Sequence, residues 1–270
     1  MLVHVIADYG PGDLALAEVA QRIKLRLPHA EPLYTPVPVF ATLAAGFCVA
    51  QLGLNPAPPN TLIYHNVAPR KDDEEARAGN EGERLAFALL PTGVRVVGVN
   101  AGYAFSFIRD TAEELRWISV PAGGSQFRSR DLFPEAAGEI VAGSTATLAD
   151  QIEPSTIPDA PTDRVAYTDG YGNLKTTTEQ DALAASTGAG LRIRIGEIER
   201  RAIVSDGTFN VEEGELAFAP GSSGWPRADG EAVRWRELFL RGGSAWEVFG
   251  RPNIGARLEI APHPRNSPGA

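Results

Sequence analysis

The chain opens with a stretch that decides the fold class of its N-terminal domain, Leu2-Val3-His4-Val5-Ile6-Ala7-Asp8-Tyr9-Gly10-Pro11-Gly12-Asp13. Residues 2–7 form the short apolar run of a buried strand. Residues 8–13 hold the glycines and the proline of a turn. Residues 14–27 then place apolar side chains at helical spacing. A strand, a turn and a helix in this order predict an α/β layer architecture, in which ligands bind at the carboxyl ends of the strands.

The rest of the first half continues this alternation. A mixed-charge run at 68–77 is typical of a solvated loop. We predict an N-terminal α/β domain over 1–152, with a central sheet flanked by helices. Its further elements are an extended stretch at 31–39, strands at 61–67, 93–100 and 116–120, and helices at 40–52, 105–117 and 133–146.

The pattern changes after a stretch rich in proline. Residues 153–163 contain three prolines together with Ser and Thr, which is typical of a linker. Short strand-like segments then alternate with glycine-rich turns, which predicts a C-terminal all-β, barrel-like domain over 164–262. The tail at 263–270 is expected to be disordered. The predicted strands are 164–168, 191–195, 198–204, 216–219, 235–240 and 256–260.

Composition excludes several classes of function. The 270 residues carry a net charge of −9, which argues against nonspecific binding to nucleic acid or to an anionic membrane. A single cysteine, Cys48, excludes an internal disulfide and a cysteine-rich metal site. The four histidines show no metal-ligand spacing, and no apolar run is long enough to span a membrane. We therefore expect a cytoplasmic protein without a metal.

Two stretches do not have the composition of core elements. Phe127-Arg128-Ser129-Arg130-Asp131-Leu132-Phe133 is predicted to be a site loop that leads into a helix, and Asp169-Gly170-Tyr171-Gly172-Asn173-Leu174 a turn that closes the first strand of the second domain. An acidic residue, an aromatic face and an amide within one turn suit a polar, cationic, ring-bearing ligand.

Three further residues have two interpretations each. Asp13 stands where a helix N-cap is expected, and capping and ligand binding remain equal alternatives for it. Asp8 ends the first strand, which favours a ligand role. His65 lies near the end of a predicted strand, and we favour a solvated histidine or one at the edge of the core over a catalytic one.

The motifs in their order resemble the family of S-adenosylmethionine (SAM) hydroxide adenosyltransferases, which is related to fluorinase and chlorinase. The segment 8–13 resembles the family's Asp-Phe-Gly motif with a second Asp five positions after the first. The segment 127–133 resembles Phe-His-Gly-Arg-Asp-Ile-Phe. The segment 169–177 resembles Asp-x-Phe-Gly-Asn-Leu-x-Thr-Asn. Residues 221–225 and 241–245 resemble Asn-Ser-x-Gly-Tyr and Asn-x-Gly-Ser-Ala. The resemblance covers nearly the whole chain, up to about residue 260.

The resemblance implies that SAM binds as a substrate, without a cofactor, between the α/β domain of one subunit and the β domain of a neighbour in a homotrimer. It also implies attack on the ribose 5′ carbon by water, hydroxide or halide, with methionine as the leaving group. Carboxylates would bind the ribose hydroxyls and the methionine ammonium, an amide and aromatic rings the adenine, and serines the methionine end. The residues that match are Asp8, Asp13, Phe40, Phe127, Asp169, Tyr171, Asn173, Ser222 and Ser223.

The catalytic positions depart from the family pattern. The hydroxide-using members have an Asp in a Val-Asp-Pro-Gly motif and a His in the site loop, and this chain has Ala68 and Arg128 there. Arg77 matches the family's catalytic Arg, and Ser129 stands where halogenases have Ser or Gly. The resemblance thus implies Arg77, Arg128 and Ser129 as the catalytic set.

Three hypotheses follow from this mixture of kept and replaced residues. The first, which we favour, is cleavage of SAM by water to adenosine and methionine, since displacement at a sulfonium can survive the loss of a base. The second is a SAM- or adenosine-binding protein that has lost its chemistry. The third is an adenosyltransferase that uses another anion, such as a halide, attracted by Arg128.

Overall fold

The computed structural model describes residues 1–70, 75, 82–121 and 125–263. The chain divides into two compact units, of which the first is Met1–Asp159 and the second begins at Ala160. The division falls inside the proline-rich stretch. Apart from His263, the tail predicted to be disordered lies outside the described residues, as does Arg77. No helix in the described part of the chain is long and apolar enough to cross a membrane.

The first unit is built on a mixed sheet flanked by helices, as predicted. Among the described residues its strands follow the order β2-β1-β3-β5-β4-β6-β7. They are β1 Leu2–Ala7, β2 Glu31–Pro36, β3 Leu62–Asn66, β4 Leu85–Leu89, β5 Arg95–Val99, β6 Glu114–Ile118 and β7 Leu148–Gln151. The helices are α1 Leu14–Arg26, α2 Thr42–Gly53, the single turn α3 Arg128–Asp131, and α4 Phe133–Val141.

The strand order places a topological switch point between β1 and β3. Strand β1 pairs in parallel with β2 on one side and with β3 on the other, and β3 pairs in parallel with β5. The chain therefore leaves β1 for one neighbour and later returns to its other side. In open α/β sheets the crevice outside the carboxyl ends of strands at such a point binds ligands. Strand β4 is antiparallel to β5 and β6, and β7 is antiparallel to β6.

Helices cover both faces of this sheet. Val3, Val5 and Tyr64 pack into one buried cluster with residues of α1 and α4. On the opposite face, Gly53 of α2 comes so close to Ile63 that an added methyl group would contact it. Alternate residues of a strand point to opposite faces, so the near-continuous apolar runs of β1 and β3 reflect burial on both sides.

His65 lies on the α2 face and is completely buried, deeper than the solvated or core-edge position favoured from the sequence. Its ring lies 5.2 Å from that of Phe105 and directly against the backbone of Gly98. Among the described residues neither ring nitrogen has a hydrogen-bond partner. Burial without a partner disfavours the charged imidazolium and lowers the pKa of His65 to about 3.

We expect this histidine to make the stability of the first unit depend on pH. The folded-state pKa lies below the unfolded value of 6.5, so the unfolded chain binds the extra proton below that pH. The contribution is fully present above pH 6.5 and is lost as the pH falls toward 3. Urea unfolding at pH 7 and pH 5 should show a loss of about 2 kcal/mol from this residue.

The matched variant for that measurement is His65→Leu, which removes the titrating ring. Its stability should fall less between the two pH values than that of the unchanged chain. Burial lowers the pKa of His4 as well, so some dependence on pH will remain. An identical loss in both proteins would contradict the prediction.

The second unit is an all-β, strongly curled sheet, as predicted. Among the described residues its strand order is β14-β10-β11-β12-β13-β9-β8. An antiparallel bridge between Arg164 and Arg257 joins the two edges of this sheet, which makes it barrel-like. The strands are β8 Val165–Thr168, β9 Leu174–Glu179, β10 Gly190–Ile195, β11 Ile198–Val204, β12 Leu216–Pro226, β13 Ala232–Leu240 and β14 Leu258–Pro262.

Several sequence predictions were wrong. The helix predicted at 105–117 is absent; residues 101–111 form successive turns closed by bonds such as Ser106 N–H to Tyr103 O, and β6 follows. Pairing of β6 with β4 prevails over the helical spacing of the apolar residues.

Helix α4 ends at Val141 rather than 146, because Gly143 takes a positive φ of 85° there. Strands β4, β7 and β9 were not predicted.

Candidate functional site

A cavity of about 590 Å³ opens at the carboxyl ends of β1, β3 and β5 in the first unit. It lies at the switch point of the sheet, and α3 forms one of its walls. Its volume falls in the usual range for small-molecule sites, about 300–1,000 Å³. The charged, polar and aromatic residues that line it are Asp8, Tyr9, Phe40, Asn66, Arg70, Glu75, Glu83, Gln126, Phe127, Arg128, Ser129 and Phe133.

Asp8 follows β1 and holds the wall of the cavity in place. Its Oδ2 accepts a hydrogen bond of 2.9 Å from the backbone N–H of Phe40. Phe40 has a φ of 61°, a left-handed conformation that is uncommon for an aromatic residue, and 51% of it is exposed. Burial raises the pKa of Asp8, opposed by the bond from Phe40. An ionised carboxylate has about four acceptor positions, so Asp8 keeps capacity for a ligand.

A group of hydroxyls joins β1 to α3 across the cavity wall. The Tyr9 hydroxyl and Ser129 Oγ are 2.6 Å apart. Asn66 at the end of β3 lines the cavity near the Tyr9 hydroxyl. Behind the wall, the buried Tyr64 hydroxyl donates to the backbone carbonyl of Ser129. Burial raises the pKa of both tyrosines, so both keep their protons at neutral pH.

Arg128 brings a positive charge into the cavity. Its guanidinium lies 5.5 Å from the centre of the Phe133 ring, a cation–π contact. Its Nε is buried, and no described residue accepts a hydrogen bond from it. Elsewhere on the cavity wall, the backbone N–H of Arg70 donates to the carboxylate of Glu83. A buried donor without a partner favours the arrival of an acceptor or anion.

The neighbouring residues Arg130 and Asp131 hold α3 rather than line the cavity. Arg130 Nε bonds to Asp131 Oδ1 at 2.6 Å, and its Nη1 bonds to Glu18 of α1 at 3.0 Å. The hydrogen bonds from Arg130 and Ser125 lower the pKa of Asp131 to about 2. The guanidinium of Arg130 also lies 5.0 Å from the centre of the Phe127 ring. These contacts fix the segment that the sequence had suggested to be a loop.

Asp13 is the N-cap of α1. Its carboxylate accepts from the backbone N–H of Ala15 at 2.9 Å, and it does not line the cavity. This bond supports the capping interpretation for the isolated chain.

We expect Asp13→Ala to lower the free energy of unfolding by about 1 kcal/mol, because a helix N–H loses its acceptor. Asp13→Asn should keep most of that stability, since asparagine is an equally good cap. Chemical denaturation of both variants measures the difference. If Asp13→Asn is stable but binds SAM more weakly, the charge of Asp13, and not its cap, is needed for binding.

The other predicted binding residues belong to the second unit, where Asp169 organises the hairpin turn between β8 and β9. Its Oδ1 accepts from the backbone N–H of Tyr171 and of Asn173, and its Oδ2 accepts from Asn173 Nδ2 at 3.0 Å. The turn predicted from the sequence is confirmed. It presents Tyr171 to solvent with 83% exposure.

Ser222 and Ser223 lie beside a buried ion pair on β9 and β13. Lys175 Nζ and Glu237 Oε1 are 2.8 Å apart. Ser223 Oγ is 3.2 Å from the same carboxylate oxygen, whereas Ser222 Oγ is 3.4 Å from Lys175 Nζ. Ser223 is buried and its hydroxyl bonds to Glu237. Ser222 is the more exposed of the two.

The structure thus brings Asp8, Phe40, Phe127, Arg128 and Ser129 together, and places the remaining described candidates elsewhere. Within the described ranges, no cluster of His, Cys, Asp or Glu could hold a metal ion. Sequence reasoning missed Tyr9, Asn66 and Arg70 on the cavity wall. The signal for Tyr9 was a hydroxyl where the resembling motif has Phe.

Comparisons with known proteins show the fold alone. No protein-family model and no curated protein matches the chain. An uncharacterized conserved protein from Thermotoga maritima has a solved structure that superposes with a TM-score of 0.75 at 21% identity, covering 96% of this chain and 100% of that chain. A conserved hypothetical protein from Thermus thermophilus gives a TM-score of 0.65 at 22% identity, with 95% of this chain and 99% of that chain covered.

Proposed function

We propose that this chain binds SAM in the first-unit cavity and cleaves it with water at the ribose 5′ carbon, giving adenosine and methionine. One observation carries the proposal: Asp8 of the first motif and the segment 127–129 of a later motif line the same cavity, although they are far apart in sequence. These are the stretches through which the chain resembles the SAM hydroxide adenosyltransferases.

The chemistry of the cavity suits a nucleoside. The carboxylate of Asp8 can accept hydrogen bonds from two ribose hydroxyls, and charge-assisted bonds of this kind are the strong ones. The rings of Phe40 and Phe127 offer flat apolar surface to a base. In a homotrimer of the kind that the resemblance implies, Asp169, Tyr171 and Ser222 of a neighbouring subunit would bind the rest of SAM.

The reaction needs a positioned water more than a strong base, because the sulfonium is already a good leaving group. A lone pair of the water forms the C5′–O bond, the C5′–S bond breaks, and its electron pair stays on the methionine sulfur. One proton passes to solvent. The cavity has the methyl group of Ala68 and the guanidinium of Arg128 where the resembling enzymes have Asp and His. This chain therefore relies on placement rather than on proton abstraction.

The same two residues favour an alternative, a SAM- or adenosine-binding protein without turnover. Such a protein would keep Asp8 for nucleoside binding and would lack both groups thought to activate water. A third hypothesis is transfer of the adenosyl group to chloride or another anion. It is favoured by the buried Nε of Arg128, which has no acceptor among the described residues.

A long incubation of purified protein with SAM, with and without chloride, separates these functions. Mass-resolved chromatography should find adenosine and methionine above a no-protein control, and 18O from labelled water in the 5′ hydroxyl. A chlorinated nucleoside would favour the third hypothesis instead. No product, together with thermal stabilisation by adenosine, would establish the binding protein.

A further inference from the structure

We propose that the hydroxyls of Tyr9 and Ser129 together form the subsite that holds and orients the attacking water. This inference rests on the proposed function and adds Tyr9 to it as a residue that positions the nucleophile. The two hydroxyls are called the hydroxyl pair below.

The hydroxyl pair has the geometry of a prepared subsite. The two oxygens are 2.6 Å apart and both residues line the cavity. They come from different elements, since Tyr9 follows β1 and Ser129 lies on α3. Asn66 at the end of β3 also lines the cavity, near the Tyr9 hydroxyl. Three separate segments thus converge on one polar patch of the wall.

A count of donors and acceptors shows what this patch can bind. Two hydroxyls carry two hydrogens and four lone pairs, and the bond between them uses one of each. One hydrogen and three lone pairs remain. A water molecule can donate one of its hydrogens to a remaining lone pair and accept the remaining hydroxyl hydrogen. A water held in this way keeps one lone pair free to attack carbon.

The hydroxyl pair is also rigidly supported. The Tyr64 hydroxyl holds the backbone carbonyl of Ser129, and the Tyr9 ring packs edge-on against Phe127 with centroids 5.8 Å apart. Arg130 fixes α3 to α1 through Glu18. Such support matters because an effective subsite must hold its geometry to within about 0.5 Å.

Positioning, and not proton abstraction, is the role that the chemistry allows. Burial raises the pKa of Tyr9, so the phenol stays protonated and is no base at neutral pH. The one proton lost by the attacking water can pass to the first oxygen of the pair, which passes its own proton to the second oxygen, and the second oxygen releases one proton to solvent. No group of the pair changes its net protonation.

The test compares Tyr9→Phe with Tyr34→Phe in the full-length protein. Tyr34 donates a hydroxyl bond of 2.7 Å to Leu16 of α1 and does not line the cavity, so it controls for the loss of one hydroxyl. Tyr9→Phe should lower kcat for SAM cleavage about 10-fold or more, with KM and adenosine affinity within about 2-fold. Ser129→Ala should lower kcat similarly, and the double variant little further, because the two oxygens act as a unit.

The outcomes separate the two proposals. No adenosine from the unchanged protein would overturn the proposed function and this inference with it. Turnover by the unchanged protein with an unaltered kcat in Tyr9→Phe would overturn the inference alone. So would a rise in KM at constant kcat, which would mark Tyr9 as a substrate contact. If Tyr9→Phe does not fold, Ser129→Ala decides by the same measurements.

Discussion

Replacing Asp8 with alanine is expected to weaken adenosine binding by about 100-fold or more. Two charge-assisted bonds to ribose hydroxyls contribute roughly 3 kcal/mol or more in total, and 1.4 kcal/mol corresponds to a factor of about ten. The change also frees the backbone N–H of Phe40, which Asp8 holds at 2.9 Å, so the wall of the cavity loses its anchor. Isothermal titration calorimetry with adenosine measures the loss directly.

Asp8→Asn is the matched control, since it keeps an oxygen that can accept from Phe40 but removes the charge. The adenosine affinity of Asp8→Asn should lie between that of the unchanged protein and that of Asp8→Ala, about 10-fold below the unchanged protein. Equal losses in both variants would show that the carboxylate charge alone matters. Wild-type affinity in Asp8→Ala would contradict the assignment of the cavity as a nucleoside site, whatever the reaction.

Gly46→Ala is expected to destabilise the first unit by about 3 kcal/mol or more. A methyl group at Gly46 of α2 would lie 2.2 Å from the backbone oxygen of Tyr103 and 3.2 Å from that of Ala104. Backbone atoms in a packed interior have little room to move, and overpacking typically costs about 1–3 kcal/mol, occasionally more. This exceeds the gain of about 1 kcal/mol that alanine offers in a helix.

Gly10→Ala is the control for that measurement. An added methyl group there meets nothing within 4 Å, and Gly10 does not need a positive φ. Its midpoint of urea unfolding should stay close to that of the unchanged chain, while that of Gly46→Ala falls. A Gly46→Ala protein as stable as the control would mean that α2 can shift away from the turns at 101–111.

Local sequence patterns predicted the helices and strands whose conformation is set by neighbouring residues in the chain. The strands β1, β3 and β5 have apolar runs bounded by turns, and α1 has clear helical spacing. Strand β4 was missed because its place inside the sheet depends on β5 and β6, which come later in the chain. The segment 105–117 has apolar spacing compatible with a helix, and only its contact with α2 and the pairing of β6 exclude one.

The candidate site was predicted in part. Asp8, Phe127 and Ser129 carried a motif signal and do share one cavity. Asn66 and Arg70 carried none, because their importance depends on where β3 ends relative to β1. Asp13 shows the opposite limit: its pattern allowed a cap or a ligand contact, and the bond to Ala15, visible only in the structure, supports the cap.

The bond between Tyr9 and Ser129 joins residues 120 positions apart. During synthesis at about 5–20 residues per second, Tyr9 leaves the ribosome roughly 6–24 s before Ser129. Throughout that interval β1 has no α3 to complete the cavity, so no ligand of the complete cavity can bind the nascent chain and stabilise it. A ligand of this cavity can therefore assist folding on the ribosome only after nearly the whole first unit has emerged.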